Sequence, residues 1–165
     1  MRKLVTARLT LEPLTREHAP EMFTALADPA IYLYVDEAPP VSIEKLADRY
    51  SRLESRRSGD GTEYWLNWVA RETATGNIAG YVQATVAGSR AFIAYVIAPS
   101  FQGKGFGREA AFAMIGELQY TYNVRQLRAN VDLRNAASLA LLRSLGFREI
   151  AGADAGDQLF ELAIA

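Results

Sequence analysis

The chain has 165 residues, half of them hydrophobic, with 18 Lys and Arg set against 19 Asp and Glu for a formal net charge of −1. That length suits one domain over residues 1–165, with a core burying about 70% of the unfolded surface, and the even charge excludes the basic footprint of a protein gripping many phosphates of a nucleic acid. With no cysteine and the lone His18, a disulfide framework, a thiolate or multi-histidine metal site and a covalent enzyme-thiol mechanism are excluded, and no carboxylate spacing suggests a metal.

The opening "MRKLVTARLTLEPL" has two cations but no apolar leader segment. No stretch approaches the roughly 18 unbroken apolar residues of a spanning helix. A soluble, cytoplasmic protein without membrane partners is the expectation. Leu9 and Leu11 alternate with polar neighbours in "RLTLEPL", the pattern of a half-buried strand that Pro13 ends. Thr15 then stands as an N-cap before Ala19, Met22, Phe23 and Leu26 at helical spacing, and Asp28-Pro29 stops the run. "IYLYVDEAPPV" reads as a loop or a short helical turn. A second helix follows from Ser42, with Ile43, Leu46, Tyr50 and Leu53 as its apolar face and "SGDG" as its end.

From Glu63 to Pro99, three β-rich runs divided by "TATGN" and "AGSR" form an antiparallel meander. "GREAAFAMIGELQYTYN" returns to helical spacing through Ala110, Met114 and Leu118. "QLRANVDL" is a strand, "NAASLALLRSLGF" a short helix, and "REIA" and "QLFELAIA" terminal strands. The order predicts an α/β fold with a mixed, mostly antiparallel sheet flanked by helices.

"FQGKGFGREA" is the stretch that asks for a function. Gly103, Gly105 and Gly107 are interleaved with Lys104 and Arg108, directly after the apolar strand "AFIAYVIAP". Glycine in regular structure costs roughly 0.5–1 kcal/mol against alanine, so bare backbone must be needed there. A tight strand-to-helix turn is the plain explanation. An anion seat is the sharper one, because several N–H groups and the positive end of a helix dipole converge on one space. The GxxxxGK[ST] order of a nucleotide triphosphatase is absent, and the last glycine misses the offset of a dinucleotide fingerprint.

"QGKGFG", Gln102 to Gly107, resembles the QxxGxG acyl-coenzyme A motif of the GCN5-related N-acetyltransferase (GNAT) superfamily. "TARLTLEPLTREHAPEMF" is similar to the TxRLxLRPL opening of its ribosomal-protein N-terminal acetyltransferase (RimJ/RimL-like) branch, and "NAASLALLRSLGF" to that branch's NxxSxxLxxxLGF segment. The likeness runs from about Thr6 to the last strand. It implies a sheet that splays between the fourth strand, "AFIAYVIAP", and the fifth, "QLRANVDL". It also implies acetyl-CoA as cosubstrate, no metal, and direct transfer of acetyl to a primary amine, in this branch the α-amine of a protein or peptide.

Carried over by position, the resemblance puts Val96 and Ile97 along the pantetheine, and Gln102, Gly103, Lys104, Gly105, Phe106, Gly107 and Arg108 around the pyrophosphate. It puts Asn135 against the pantetheine arm and Ser138 near the thioester sulfur. Asn135 also reads from the residues alone as an N-cap accepting from the Ser138 amide, with Gly146 and Phe147 closing that helix in a Schellman ending. Many relatives have a tyrosine seven residues after the asparagine to protonate the departing thiolate. Leu142 stands there, as the RimJ/RimL-like branch usually lacks that tyrosine too, and the expected substitute acid is Ser138 or a water relayed beside it.

Candidate bases are Glu63, Asp132 and Tyr95. Tyr32, Tyr34, Trp65 and Trp68, with Tyr95, form the expected mouth of the acceptor pocket, and Asp36 or Glu37 would attract a cationic amine. A monomer or homodimer acting on a protein N-terminus is the leading reading. A small-amine acetyltransferase for aminoglycosides or polyamines, a non-catalytic acyl-CoA-binding module and a general dinucleotide binder are the competitors.

Overall fold

The computed structural model describes residues 1–150 and 157–164. Its strands are β1 Leu4–Val5, β2 Leu9–Pro13, β3 Tyr64–Glu72, β4 Ile78–Ala87, β5 Arg90–Ile97, β6 Gln126–Asp132, β7 Arg148–Ile150 and β8 Asp157–Ala163. Its helices are α1 Ala19–Ala25, α2 Ile43–Leu53, α3 Phe106–Tyr122 and α4 Ala136–Ser144. Nearly every element read from the sequence is present. The two-residue β1, which pairs with β2, was not foreseen, and Ala151 and Ala165 of the terminal strand readings lie outside the described residues.

All eight strands join one sheet in the order β1-β2-β3-β4-β5-β6-β8-β7. Every pairing is antiparallel except β5 with β6. α1 and α2 close one face, where Leu14, Met22, Leu26, Leu46 and Tyr50 pack over Val69 and Ile78. α3 covers the other, setting Phe106, Ala110, Met114 and Leu118 against Leu66, Val82, Ile93 and Leu127. Met114 and Leu118 are fully buried, each worth about 2–3 kcal/mol in apolar area removed from water. Ile43, read as part of the apolar face of α2, lies instead at the first turn and is exposed.

The chain stops and starts as local chemistry dictates. Ser42 Oγ accepts from the Lys45 amide at 3.2 Å, and Asn135 Oδ1 accepts from the Ser138 amide at 3.0 Å. At the end of α4, Gly146 N–H donates to Arg143 O at 3.0 Å and Phe147 N–H to Leu142 O at 3.1 Å. With Gly146 at φ +90°, this is the Schellman ending read from "SLGF".

One feature of the sheet prepares a site. β5 keeps register with β4 from Arg90 to Ile97 but with β6 only from Arg90 to Phe92. β6 meanwhile stays paired with β8 over its whole length. Two parallel strands that start together therefore diverge, leaving one edge of β5 without a ladder from Ile93 onward. Gly80 of β4 helps hold that end, since a Cβ there would fall 1.9 Å from the Val96 carbonyl oxygen. Among the described residues no helix is long and apolar enough to cross a membrane.

Candidate active site

The glycine-rich loop leaves β5 through a short 3-10 turn and enters α3 at Phe106. Gly103 has φ +72° and Gly105, the N-cap, φ +81°, a region that side chains with a Cβ enter only at a cost. Among the described residues, no backbone carbonyl accepts a well-formed hydrogen bond from the amides of Gly103 to Arg108. Space over Gly103 is open. A row of unclaimed donors at a helix N-terminus has the chemistry to receive an anion.

Gly107 has a different reason. A Cβ there would lie 2.8 Å from Leu141 Cδ1 and 3.2 Å from Ile97 Cγ1, so its bareness lets α3 approach α4 and the end of β5. Phe106 also differs from a simple ligand reading. Its ring is buried, edge-on to Phe101 at 5.8 Å between centroids, which leaves only its amide for the loop. Gln102 donates its side-chain amide to Ile97 O at 2.8 Å, and Lys104 Nζ donates to Ser100 O at 2.8 Å. Both side chains brace the loop against the strand it leaves.

Sequence reasoning missed the brace on the outer side. Arg8, at the start of β2, donates from Nε to Glu109 Oε2 at 2.7 Å and from Nη1 to Lys104 O at 2.9 Å. Its guanidinium also stacks 4.5 Å from the centroid of Phe106. Thr6 Oγ1 donates to Glu109 Oε1 at 2.6 Å. Burial works to raise the Glu109 carboxyl, and the hydrogen bonds from Thr6 and Arg8 outweigh it, holding the group below the usual carboxylate range. Nothing in "TARLTLEP" announces a partner a hundred residues away.

Between the diverging ends of β5 and β6 lies a cleft of about 610 Å³. Ile93, Ala94 and Tyr95 line it from one strand and Ala129 to Asp132 from the other, with Asn135 and Ser138 entering from α4. Tyr95 and Ser138 meet across it, hydroxyl to hydroxyl, at 2.8 Å. Burial pushes the Tyr95 phenol up to about 12, against a smaller downward pull from Ser138. Val96 packs toward the α1 and α2 face and Ile97 toward Gly107, so the end of β5 is braced on both sides.

The base candidates fare differently. Asp132 is held at about 2 by hydrogen bonds from Arg134, whose Nη2 donates at 2.6 Å. Glu63 accepts from Trp65 Nε1 at 3.0 Å at the start of β3 and lines neither the cleft nor the pocket beyond it. Tyr95 keeps its proton at neutral pH. None of the three is poised to take one.

The segment from Leu33 to Glu37 roofs the cleft, bringing Tyr34 and Asp36 to it. On the α1 and α2 side a smaller pocket of about 60 Å³ is lined by Tyr32, Arg49, Tyr50, Tyr81 and Gln83 over Leu14, Met22 and Leu26. Glu37 lines both spaces and stands 3.7 Å from Arg49. Tyr32 donates to Leu26 O at 2.9 Å. Trp65 reaches neither space, whereas Trp68 lines the smaller pocket while almost wholly buried, its Nε1 donating to Arg2 O at 3.0 Å. Arg49, Tyr81 and Gln83 were missed. Their only signal was alternation along a strand and position on a helix already explained by packing.

A splayed parallel pair beside a loop of unclaimed amides is the architecture of a transferase that threads an acyl-coenzyme A between two strands. The donor set fits that cosubstrate: neutral N–H groups and a helix N-terminus for a pyrophosphate, and an unladdered strand edge for an amide-bearing arm. The sequence profile of the acetyltransferase (GNAT) domain matches residues 8–148, and the chain belongs to that family. It is an acetyl-CoA-dependent acetyltransferase.

A Bacillus licheniformis protein named uncharacterized N-acetyltransferase p20 is 27% identical over 150 residues, covering 90% of this chain and 84% of its own. The fold resembles RimL, the ribosomal L7/L12 alpha-N-protein acetyltransferase, solved in complex with coenzyme A. That likeness has a TM-score of 0.84 at 18% identity, over 99% of this chain and 98% of that one. It also resembles the ribosomal-protein-S5-alanine acetyltransferase of Vibrio fischeri, with a TM-score of 0.82 at 17% identity over 99% and 97% of the two chains. Among the described residues, no group of three or more His, Asp or Glu side chains stands together as a metal site.

Proposed function

We propose that the protein acetylates the α-amine of a protein or peptide N-terminus in the cytoplasm, with residues 1–165 working as one acyltransferase domain. The carrying observation is that neither base candidate lining the cleft, Asp132 or Tyr95, is poised to take a proton. Asp132 is committed to Arg134, and Tyr95 stays protonated. An amine drawn in as a cation then gives up its proton to water before it attacks. With reference values of about 7.7–8.0 for an α-amine and about 10.4 for lysine, the neutral fraction at pH 7 differs by roughly 300-fold in favour of the N-terminus. The names of the RimL and S5-alanine enzymes, which share the fold, support the same substrate class.

In this reading the acetyl thioester supplies an activated carbonyl. The amides from Gly103 to Arg108 bind the pyrophosphate, and the unpaired edge of β5 near Ile97 orients the arm and polarises the acetyl oxygen. Asn135 holds the start of α4 beside the arm. Ser138 faces the departing sulfur and gives it a proton. Glu37, shared by the cleft and the smaller pocket, draws the cationic amine toward the gap between strands.

A panel of acceptors followed by release of free CoA tests this. Peptides with a free N-terminus are expected to turn over, and the same peptides N-blocked but carrying lysine are not. Turnover on aminoglycosides or polyamines with none on peptides would reject the N-terminal substrate. Tight CoA binding without turnover on any amine would favour a binding module.

A further inference from the structure

Leu142, where a phenol would stand on α4 in many relatives, is fully buried in the core. Ser138 is left as the donor, and a serine hydroxyl is a weak acid. The fold places a second hydroxyl directly behind it. The Tyr95 hydroxyl stands 2.8 Å from Ser138 Oγ and also donates at 3.3 Å to the Ser138 carbonyl oxygen, so both contacts hold the phenol against the first turn of α4.

Either hydroxyl can donate in that contact; a relay takes the shorter of the phenol's two contacts, with the phenol, the stronger acid, as donor and Ser138 Oγ as acceptor. The serine proton is then turned away from Tyr95. Among the described residues no other protein group bonds to Ser138 Oγ, and both residues line the cleft between β5 and β6. We propose that Tyr95 is a positioning residue that completes a two-hydroxyl proton relay, Tyr95 to Ser138 to the departing sulfur, supplying from β5 the phenol that α4 lacks.

The relay rests on the assignment of Ser138 as the donor to sulfur. As the nitrogen–carbon bond forms and the carbon–sulfur bond breaks, Ser138 gives its proton to sulfur and takes the phenolic proton of Tyr95. The proton shed by the new amide nitrogen leaves through water, and water returns one to Tyr95. One proton leaves nitrogen, one arrives on sulfur, and nothing is oxidised or reduced. Burial of the phenol keeps it protonated at neutral and mildly alkaline pH, so the relay is loaded before each turnover.

The test compares Tyr95→Phe, Ser138→Ala and the double variant, using acetyl-CoA and a peptide with a free N-terminus, with CoA affinity measured by calorimetry. Tyr95→Phe removes one oxygen and keeps the ring in the core. It is expected to leave CoA affinity within about twofold while lowering kcat roughly 10- to 100-fold, at or below the bottom of the range for a general acid because Ser138 remains. Members of one relay act as a unit, so the double variant should be no slower than the slower single one.

A Tyr95→Phe enzyme at wild-type kcat, beside a slowed Ser138→Ala, overturns the relay and leaves Ser138 as donor. Losses that multiply in the double variant overturn it too. Wild-type kcat in both single variants removes Ser138 from the mechanism and the relay with it.

Discussion

The two sides of the cleft are built by different means. On the cofactor side, consecutive residues from Gln102 to Arg108 present main-chain N–H groups. On the acceptor side, Tyr32, Glu37, Arg49, Tyr81 and Gln83 arrive from the α1–α2 connection, α2 and β4. In the proposed function, backbone donors grip what every acyl-CoA has in common, whereas scattered side chains sort one amine from another. A change on one side should therefore move one ligand's affinity and spare the other's.

Alkaline pH presses on both sides together and has the largest expected effect. Burial raises the phenols of Tyr50 and Tyr81 on the acceptor side, Tyr81 to about 12, and that of Tyr95 on the cofactor side. In the unfolded chain they titrate near 10. Between pH 10 and 12 the unfolded state has lost these protons and the folded state has not, so stability present below pH 10 falls as pH rises. For Tyr81 and Tyr95 the loss is ~2–3 kcal/mol each. Urea melts at pH 9 and pH 11 should show about half of it, ~1.4 kcal/mol for each phenol, and Tyr81→Phe should remove about half of that pair's share. A melt unchanged to pH 11 would mean the phenols are not buried in solution.

Gly105→Glu separates the two sides most sharply. It sets bulk and negative charge where the pyrophosphate is expected, 3.4 Å from Arg8 Nη2 at the added Cβ. CoA binding by calorimetry should weaken at least tenfold, ~1.4 kcal/mol, while the fold persists with the modest strain of a left-handed backbone. Unchanged binding would move the anion seat elsewhere. Arg8→Ala is milder. It frees Glu109 and the Lys104 carbonyl but touches no loop amide, so CoA affinity should drop about fivefold, ~1 kcal/mol for a half-exposed charged brace. Arg8→Lys should not restore it, because an ammonium lacks the fork that spans both partners.

The same division explains what the sequence made legible. The glycine-rich loop is local: glycine spacing, the strand before it and the helix after it lie within one short stretch, so "QGKGFG" carried both the turn and the use proposed for it. The caps of α2 and α4 were equally local. The splay was implied by resemblance alone, since no residue in "AFIAYVIAP" reports where a parallel partner lets go. Arg8, Arg49 and Tyr81 were illegible because each looks like an ordinary exposed cation or core aromatic until the fold brings its partner close. Tyr95 was read as an acceptor contact or base. Its burial and its bond to Ser138, neither visible in the chain, are the observations on which the proposed relay rests.

Glu37→Gln is the finest probe, because Glu37 lines both the cleft and the smaller pocket. It is about half exposed and sits 3.7 Å from Arg49, so its charge is well screened and worth ~0.5 kcal/mol toward a cationic peptide terminus. The KM for a free-N-terminus peptide should rise about two- to threefold with kcat and the KM for acetyl-CoA unchanged. The difference should shrink in 1 M salt, where the screening length is about 3 Å. A rise in the acetyl-CoA KM with the peptide KM unaltered would put Glu37 on the cofactor side. The boundary between main-chain and side-chain recognition would then lie beyond the splay, nearer α2.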